Sequence, residues 1–240
     1  MRVVQVGIGG MGNAWLQTVI ASKDVEFAGF VEVSDAIIET QVARYDFDPA
    51  TIFPTLREAL DVLQPDAVID VTPPQFHREN SVLALEAGIP VLSEKPLAPT
   101  LAEAQAIVDA ANRTGVLHMV AQNYRYSLPV QTLKQALESQ VMGEIGAVSI
   151  EFYKGLHFGG FREEMDYPLI IDMSIHHFDM LRFLLGANAV SVFGRSWNPS
   201  WSWFKGDASA AVVLDFANGV KVSYDGSWCS QGRETDWNAN

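Results

Sequence analysis

The chain has 240 residues, which at about 150 residues per domain predicts one large domain or two small ones. Hydrophobic residues make up 48% and charged residues 19%, a globular composition that argues against intrinsic disorder and allows a large core without disulfides. Sixteen basic and 29 acidic residues give a net charge of −13, which repels phosphate backbones and anionic lipid, and the one cysteine, Cys229, excludes an internal disulfide framework or a cysteine-based zinc site and fits a cytoplasmic protein.

Residues 3–22 carry no charge, but Gln5, Gly7, Gly9, Gly10, Gly12, Asn13 and Gln17 interrupt the apolar run, so it is read neither as a signal peptide nor as a membrane span. The β-branched run 2–8 predicts a strand and 11–22 a helix; a second strand (27–33) and helix (35–44) follow. Residues 56–63 read as helix and 66–71 as a buried strand that stops at Thr72-Pro73-Pro74. A helix over 76–87 closes at Gly88, a short strand covers 91–93, a helix over 101–113 closes at Gly115, and 117–121 is another strand. This alternation predicts a parallel, doubly wound sheet of the Rossmann type. Beyond about residue 123 the pattern changes: a helix over 130–140, a strand over 147–153, a helix over 171–185, then strands over 189–195, 208–216 and 220–228. Asn218-Gly219 between the last two is a hairpin signal. The second part therefore reads as α+β with a mainly antiparallel sheet, giving an α/β chain with a doubly wound domain over 1–123 and an α+β domain over 124–240. The last residues, 236–240, end in a polar segment with no closing element, so the second sheet is expected to be incomplete.

Gly7-Ile8-Gly9-Gly10-Met11-Gly12 matches G-x-G-x-x-G between a strand and a helix. The first glycine permits a tight turn, the second lets backbone approach a pyrophosphate, and the third lets helix and strand pack closely. The helix N-terminus offers N–H groups and a positive dipole end to the anion. Glu32 ends the next strand 20 residues after Gly12, where a carboxylate holds a ribose 2′-hydroxyl, and no Lys or Arg lies within residues 33–39 to receive a 2′-phosphate. NAD is expected rather than NADP. The competing reading is a glycine-rich turn beside a solvated glutamate.

Ser93-Glu94-Lys95-Pro96 follows a strand, and ligands in such sheets bind at the carboxyl ends of strands, so Lys95 is expected over the crevice. Together with Thr72-Pro73-Pro74 and His77, Asn123-Tyr124-Arg125, and Asp172-x-x-x-His176-x-x-Asp179, the sequence resembles the Gfo/Idh/MocA family of NAD(P)-dependent oxidoreductases over essentially its whole length. Members are typically longer. The resemblance implies that Lys95 touches the nicotinamide ribose and the substrate hydroxyl, that Thr72, Pro73 and Glu94 line the cofactor cleft with His77 nearby, and that Asn123 and Arg125 line cofactor and substrate.

Asp172, His176 and Asp179 at i, i+4 and i+7 fall within about 60° of one another on an α-helix. Histidine shuttles protons near neutral pH, and a nearby carboxylate orients it. The resemblance makes His176 the acid/base and gives Asp172 a role in the proton relay or in holding a substrate hydroxyl. A structural polar face is the plainer alternative. A divalent metal site is chemically possible, but no further ligand cluster supports one, and no metal is expected. His177, about 100° round the helix, is read as structural. Many family members have glycine two residues before the histidine, where this chain has Ser174, and glycines before the aspartate, where it has Pro168-Leu169-Ile170-Ile171. That difference bears on substrate identity rather than reaction type.

Five of six tryptophans lie in the last 44 residues, and Trp201 and Trp203 share a side if their segment is extended. A sheet face buried against another copy is favoured over a sugar-stacking surface, which predicts a homodimer or homotetramer. The expected function is NAD-dependent oxidation of a secondary CH–OH group of a sugar, polyol or inositol. The alternatives are an NAD-dependent glycoside hydrolase of the same family and a non-catalytic cofactor-binding sensor.

Overall fold

In the first half, valines alternate their faces along strands that are covered by helices on both sides, as parallel strands require. The computed structural model describes all 240 residues, which divide into two units, Met1–Ala121 and Gln122–Asn240, each with its own core. The first unit runs β1 (Arg2–Val6), α1 (Gly10–Ile20), β2 (Glu26–Val31), α2 (Asp35–Tyr45), β3 (Ile52–Phe53), α3 (Leu56–Leu63), β4 (Ala67–Asp70), α4 (Pro74–Glu86), β5 (Val91–Ser93), α5 (Leu101–Thr114) and β6 (His118–Val120). Its six strands are all parallel in the order β3-β2-β1-β4-β5-β6. The order reverses between β1 and β4, which is where such sheets open a crevice. Val4, Val6, Val31, Val68 and Val91 pack under α3, α4 and α5 through Leu56, Leu60, Leu85 and Ile107. Val3 and Ile69 face α1 through Val19, and Phe30 packs with Ile8 and Leu16. The two-residue β3 is too short for a periodic signal, and the sequence reading lacked it.

The second unit runs through a 3₁₀ turn (Asn123–Tyr126), α6 (Leu128–Glu138), β7 (Ala147–Tyr153), α7 (Phe161–Glu164), a π-helical turn (Leu169–Ser174), α8 (Ile175–Leu185), β8 (Ala189–Trp197), β9 (Ser209–Phe216) and β10 (Lys221–Ser227). Its sheet order is β7-β10-β9-β8, antiparallel except for the β7–β10 pair, which is parallel. Gly219 (φ +91°) closes the β9–β10 hairpin as Asn218-Gly219 predicts. One face of the sheet buries Phe152, Leu214, Val222 and Tyr224 against Leu169, Met173 and Leu181. Edge strand β8 is exposed along nearly all its length, with Val190 at 68% and Phe193 at 72%.

The tryptophans form no single surface. Trp228 is core, Trp201 donates its indole N–H to Cys229 O at 3.0 Å, and Trp203 stacks on His157 in a segment that is not extended. The predicted single α-helix over 171–185 is also corrected. Its first part is the π turn, so α-helical angles do not apply between Asp172 and His176. No helix is long and apolar enough to cross a membrane.

Candidate active site

At the carboxyl end of β1 the chain must turn sharply into α1, and Gly7 does so at φ +85° while donating its N–H to Val31 O at 2.9 Å. A Cβ on Gly12 would lie 2.3 Å from Gly7 O, so that position admits no side chain. A Cβ on Gly9 would meet only the tip of Ile37 at 3.2 Å, and one on Gly10 would meet nothing within 4 Å. The loop is thus closed by glycine against its own fold and left bare on its other side, beside the N–H groups that open α1. Gln5 locks it: fully buried, its Nε2 donates to Gly7 O (3.0 Å) and Gly12 O (2.9 Å). Gln41 Nε2 donates to Ile8 O at 2.8 Å. Glu32 sits beside this loop, Oε2 accepting from Ile8 N–H (3.2 Å) and Oε1 from Val33 and Ser34 N–H (2.9 and 3.0 Å). These features fit a dinucleotide pyrophosphate and its adenosine ribose.

Thr72 leaves β4 with its N–H and hydroxyl both on Asp70 Oδ1, at 3.1 and 2.6 Å. His77 is fully buried, with Nε2 2.8 Å from Thr72 O and Nδ1 2.9 Å from Pro96 O. The structure therefore makes His77 a brace between the loops after β4 and β5. Glu94 is held by Trp15, whose indole N–H donates to Oε1 at 2.7 Å, and by Lys95 N–H on Oε2 at 3.0 Å. The Lys95–Pro96 bond is cis. Below, His118 Nε2 lies 3.1 Å from Ser81 Oγ; burial pushes the imidazole below its ordinary pKa against the pull of Asp70.

In the second unit, His176 and Asp172 are both buried. Tyr124 stacks on His176 with ring centroids 4.2 Å apart and planes 10° apart. Asp172 Oδ2 accepts from Arg162 Nε at 2.7 Å. Asp179, expected on the histidine's face, takes the Arg125 guanidinium through Nε (2.7 Å to Oδ2) and Nη2 (to Oδ1). That fork raises the pKa of Arg125 above its ordinary value. Arg125, expected as a substrate ligand, is thus occupied by α8, while Asn123 is exposed in the same turn. His177 points into the core between Tyr224 OH (3.3 Å) and Trp237 O (3.1 Å), and burial lowers its pKa to about 4.

Sequence reasoning missed Gln5, Trp15 and Arg162, and named Tyr124 only within the Asn123-Tyr124-Arg125 motif, without a role. Gln5 carried a signal, because a glutamine inside a valine strand must find partners. Trp15 looked like any apolar helix residue, Arg162 lies in no motif, and the stacking of Tyr124 on His176 spans 52 positions that periodicity does not connect.

Residues 1–122 match the oxidoreductase family described as Gfo/Idh/MocA, NAD-binding Rossmann fold, and residues 130–239 match the GFO/IDH/MocA C-terminal domain. An uncharacterized protein (y4oX) of Sinorhizobium fredii is 30% identical over 98% of this chain and 68% of its own length. A D-apiose dehydrogenase of Paraburkholderia graminis is 30% identical over 89% of this chain and 58% of its own. For an inositol 2-dehydrogenase of Corynebacterium glutamicum the figures are 28%, 94% and 66%. The chain therefore spans between 58% and 68% of the length of these relatives. A crystal structure of an oxidoreductase from Agrobacterium radiobacter, in complex with NAD+, L-tartaric acid and magnesium, superposes with a TM-score of 0.90 at 23% identity, covering 98% of this chain and 68% of that one; it shares the fold.

Proposed function

The chain belongs to the Gfo/Idh/MocA oxidoreductase family, and on that premise we propose that it is an NAD-dependent dehydrogenase of a secondary CH–OH group in a sugar, polyol or inositol. The observation that carries the reading is Glu32 held against a glycine loop that is bare on its outer side, in a chain that also buries Asp172 and His176 in consecutive helical turns. The relatives acting on D-apiose and inositol support the substrate class. The bound dinucleotide would supply the hydride acceptor.

The protein's own residues do the rest. Backbone N–H groups of the glycine loop beyond Ile8, at the start of α1, hold the pyrophosphate. Glu32 accepts from the ribose hydroxyls and repels a 2′-phosphate. Thr72, Pro73 and Glu94 line the cofactor side, with His77 bracing their loops. Lys95 donates to the substrate oxygen, His176 takes the hydroxyl proton, and Asp172 holds a neighbouring hydroxyl or the charged imidazole. Acid/base help of this kind contributes ~10²–10⁴-fold, and positioning of the C–H bond supplies much of the remainder. We further propose association of copies through the second sheet, supported by the exposed Val190, Val192, Phe193 and Val213; sedimentation would show a dimer or tetramer.

The test is NADH formation with NAD and NADP separately, against inositols, aldoses and polyols, with Lys95→Ala as control. Turnover with NAD that disappears in the variant is expected. Release of product from a chromogenic glycoside without NADH would overturn the net redox reaction in favour of the hydrolase, and activity with NADP alone would overturn the role of Glu32.

A further inference from the structure

An imidazole on a helix is fixed at χ1 by the backbone, but its χ2 is a broad sp³–sp² torsion, so something flat must set the ring plane. For His176 that partner is Tyr124, 4.2 Å away and within 10° of parallel. The neighbouring residue, Arg125, forks onto Asp179, three positions along α8 and hence on an adjacent surface site. Gln131 Nε2 on α6 donates to Arg125 O at 2.7 Å, closing the turn from behind. Two consecutive residues of one 3₁₀ turn thus grip positions 176 and 179 of one helix.

We propose that the turn Asn123–Tyr126 is a positioning clamp for the His176 imidazole: Tyr124 sets the ring plane, and Arg125, latched to Asp179, sets the turn. The inference rests on the dehydrogenase reading, in which His176 receives the substrate proton. Charged and titratable groups near the ring within this unit include Asp172, Asp179, His177 and Asp236. Asp172 carries Arg162, Asp179 carries Arg125, and His177 faces the core in its neutral form. The Tyr124 hydroxyl is kept protonated by burial, with Asp236 and Asp172 adding to the upward push. The face of a neutral phenol attracts a cation, so the stack favours the imidazolium that forms when the proton arrives.

The experiment uses the full chain and two substitutions. Tyr124→Phe keeps the flat ring; Tyr124→Leu keeps the bulk and removes it. The first readout is the imidazole C–H resonances of His176, assigned with His176→Gln and needing no turnover. They are expected upfield, under the ring current, in the wild type and Tyr124→Phe, and back near ordinary values in Tyr124→Leu. The second is the pH profile of kcat/KM for oxidation. Losing the ring disfavours the imidazolium, so in Tyr124→Leu the acid limb moves to lower pH by about half a unit. With it, kcat drops roughly three- to thirtyfold at unchanged KM for NAD. Tyr124→Phe leaves both in place. Arg125→Lys, which keeps the charge and loses the fork, is expected to fall between them. Unmoved resonances in Tyr124→Leu overturn the clamp, as does equal impairment of both Tyr124 variants with an unmoved acid limb. Displaced resonances in a wild type that forms no NADH on any substrate leave the clamp standing and overturn the dehydrogenase reading alone.

Discussion

Gly9 and Gly12 belong to one motif, yet the structure assigns them different physical jobs, and alanine separates the two. At Gly12 the added Cβ lies 2.3 Å from Gly7 O and 2.9 Å from Gly7 C, both backbone atoms. Ordinary contact begins near 3.4 Å, so α1 and the loop would have to part by about 1.1 Å, the difference between 3.4 and 2.3. That movement would also break the paired bonds of Gln5 to Gly7 O and Gly12 O. Overpacking of this kind costs about 1–3 kcal/mol, so Gly12→Ala should lose stability in urea and NAD affinity together. At Gly9 the methyl meets only Ile37 Cδ1, at 3.2 Å, the end of a flexible side chain. Gly9→Ala should therefore unfold within about 1 kcal/mol of the wild type. Its methyl nevertheless projects where a pyrophosphate would touch backbone, so NAD affinity should fall at least tenfold, or about 1.4 kcal/mol. Calorimetric titration with NAD and with NADP, paired with urea curves, measures both quantities. A folded Gly9→Ala protein that binds NAD as tightly as the wild type would refute the dinucleotide reading of the loop.

Glu32→Arg should weaken NAD by about tenfold and reverse the preference toward NADP, read from NADH and NADPH formation, since it removes the ribose acceptor and adds a phosphate donor. Trp15→Phe removes only the indole N–H from Glu94, and a charge-assisted bond of this kind predicts a three- to tenfold rise in KM for NAD with little change in urea stability. His177 contributes a pH dependence whose sign is fixed by its lowered pKa. Unfolded, it takes a proton near 6.5; folded, only near about 4. Stability is therefore unaffected above pH 7, declines as pH falls from about 6.5 to 4, and levels off below, with a total loss of order 3 kcal/mol. Urea denaturation at pH 7.5 and 4.5 should show that decline in the wild type and a much smaller one in His177→Phe.

The parallel sheet was legible because valine-rich runs ended at glycine or proline and alternated with helical periods: the strand over 91–93 and the helix over 56–63 stand where expected. The glycine loop and Glu32 were legible for a related reason, since each requirement falls on a residue type within about 25 positions. What escaped was set by side chains meeting across long separations. Asp70 reads as one more residue of a buried strand, yet its carboxylate holds Thr72, and His77 joins two loops through carbonyls that no motif records. Asp172-x-x-x-His176-x-x-Asp179 was legible as a constellation but not as a geometry, because the angles assumed an α-helix and the chain makes a π turn.

That π turn has an identifiable anchor. Ser174 lies two residues before His176, and small size alone would explain it if its hydroxyl were idle. Instead Ser174 Oγ donates to Leu169 O, five residues back, at 3.0 Å, and lies 2.7 Å from Tyr224 OH on β10. Tyr224 in turn meets His177 Nδ1, and His177 Nε2 meets Trp237 O. A buried line of polar groups therefore runs from the end of the chain through the sheet to the turn that carries Asp172. Glycine at 174 would leave the Tyr224 hydroxyl only the longer contact to His177, and the turn would lose its tie to the sheet. Asp172 is thus placed from beneath by this line and from outside by Arg162 of α7, whereas His176 is placed from the side by Tyr124. Changes around α7 therefore reach the Asp172 carboxylate through Arg162, and changes in the turn Asn123–Tyr126 reach the imidazole plane through Tyr124.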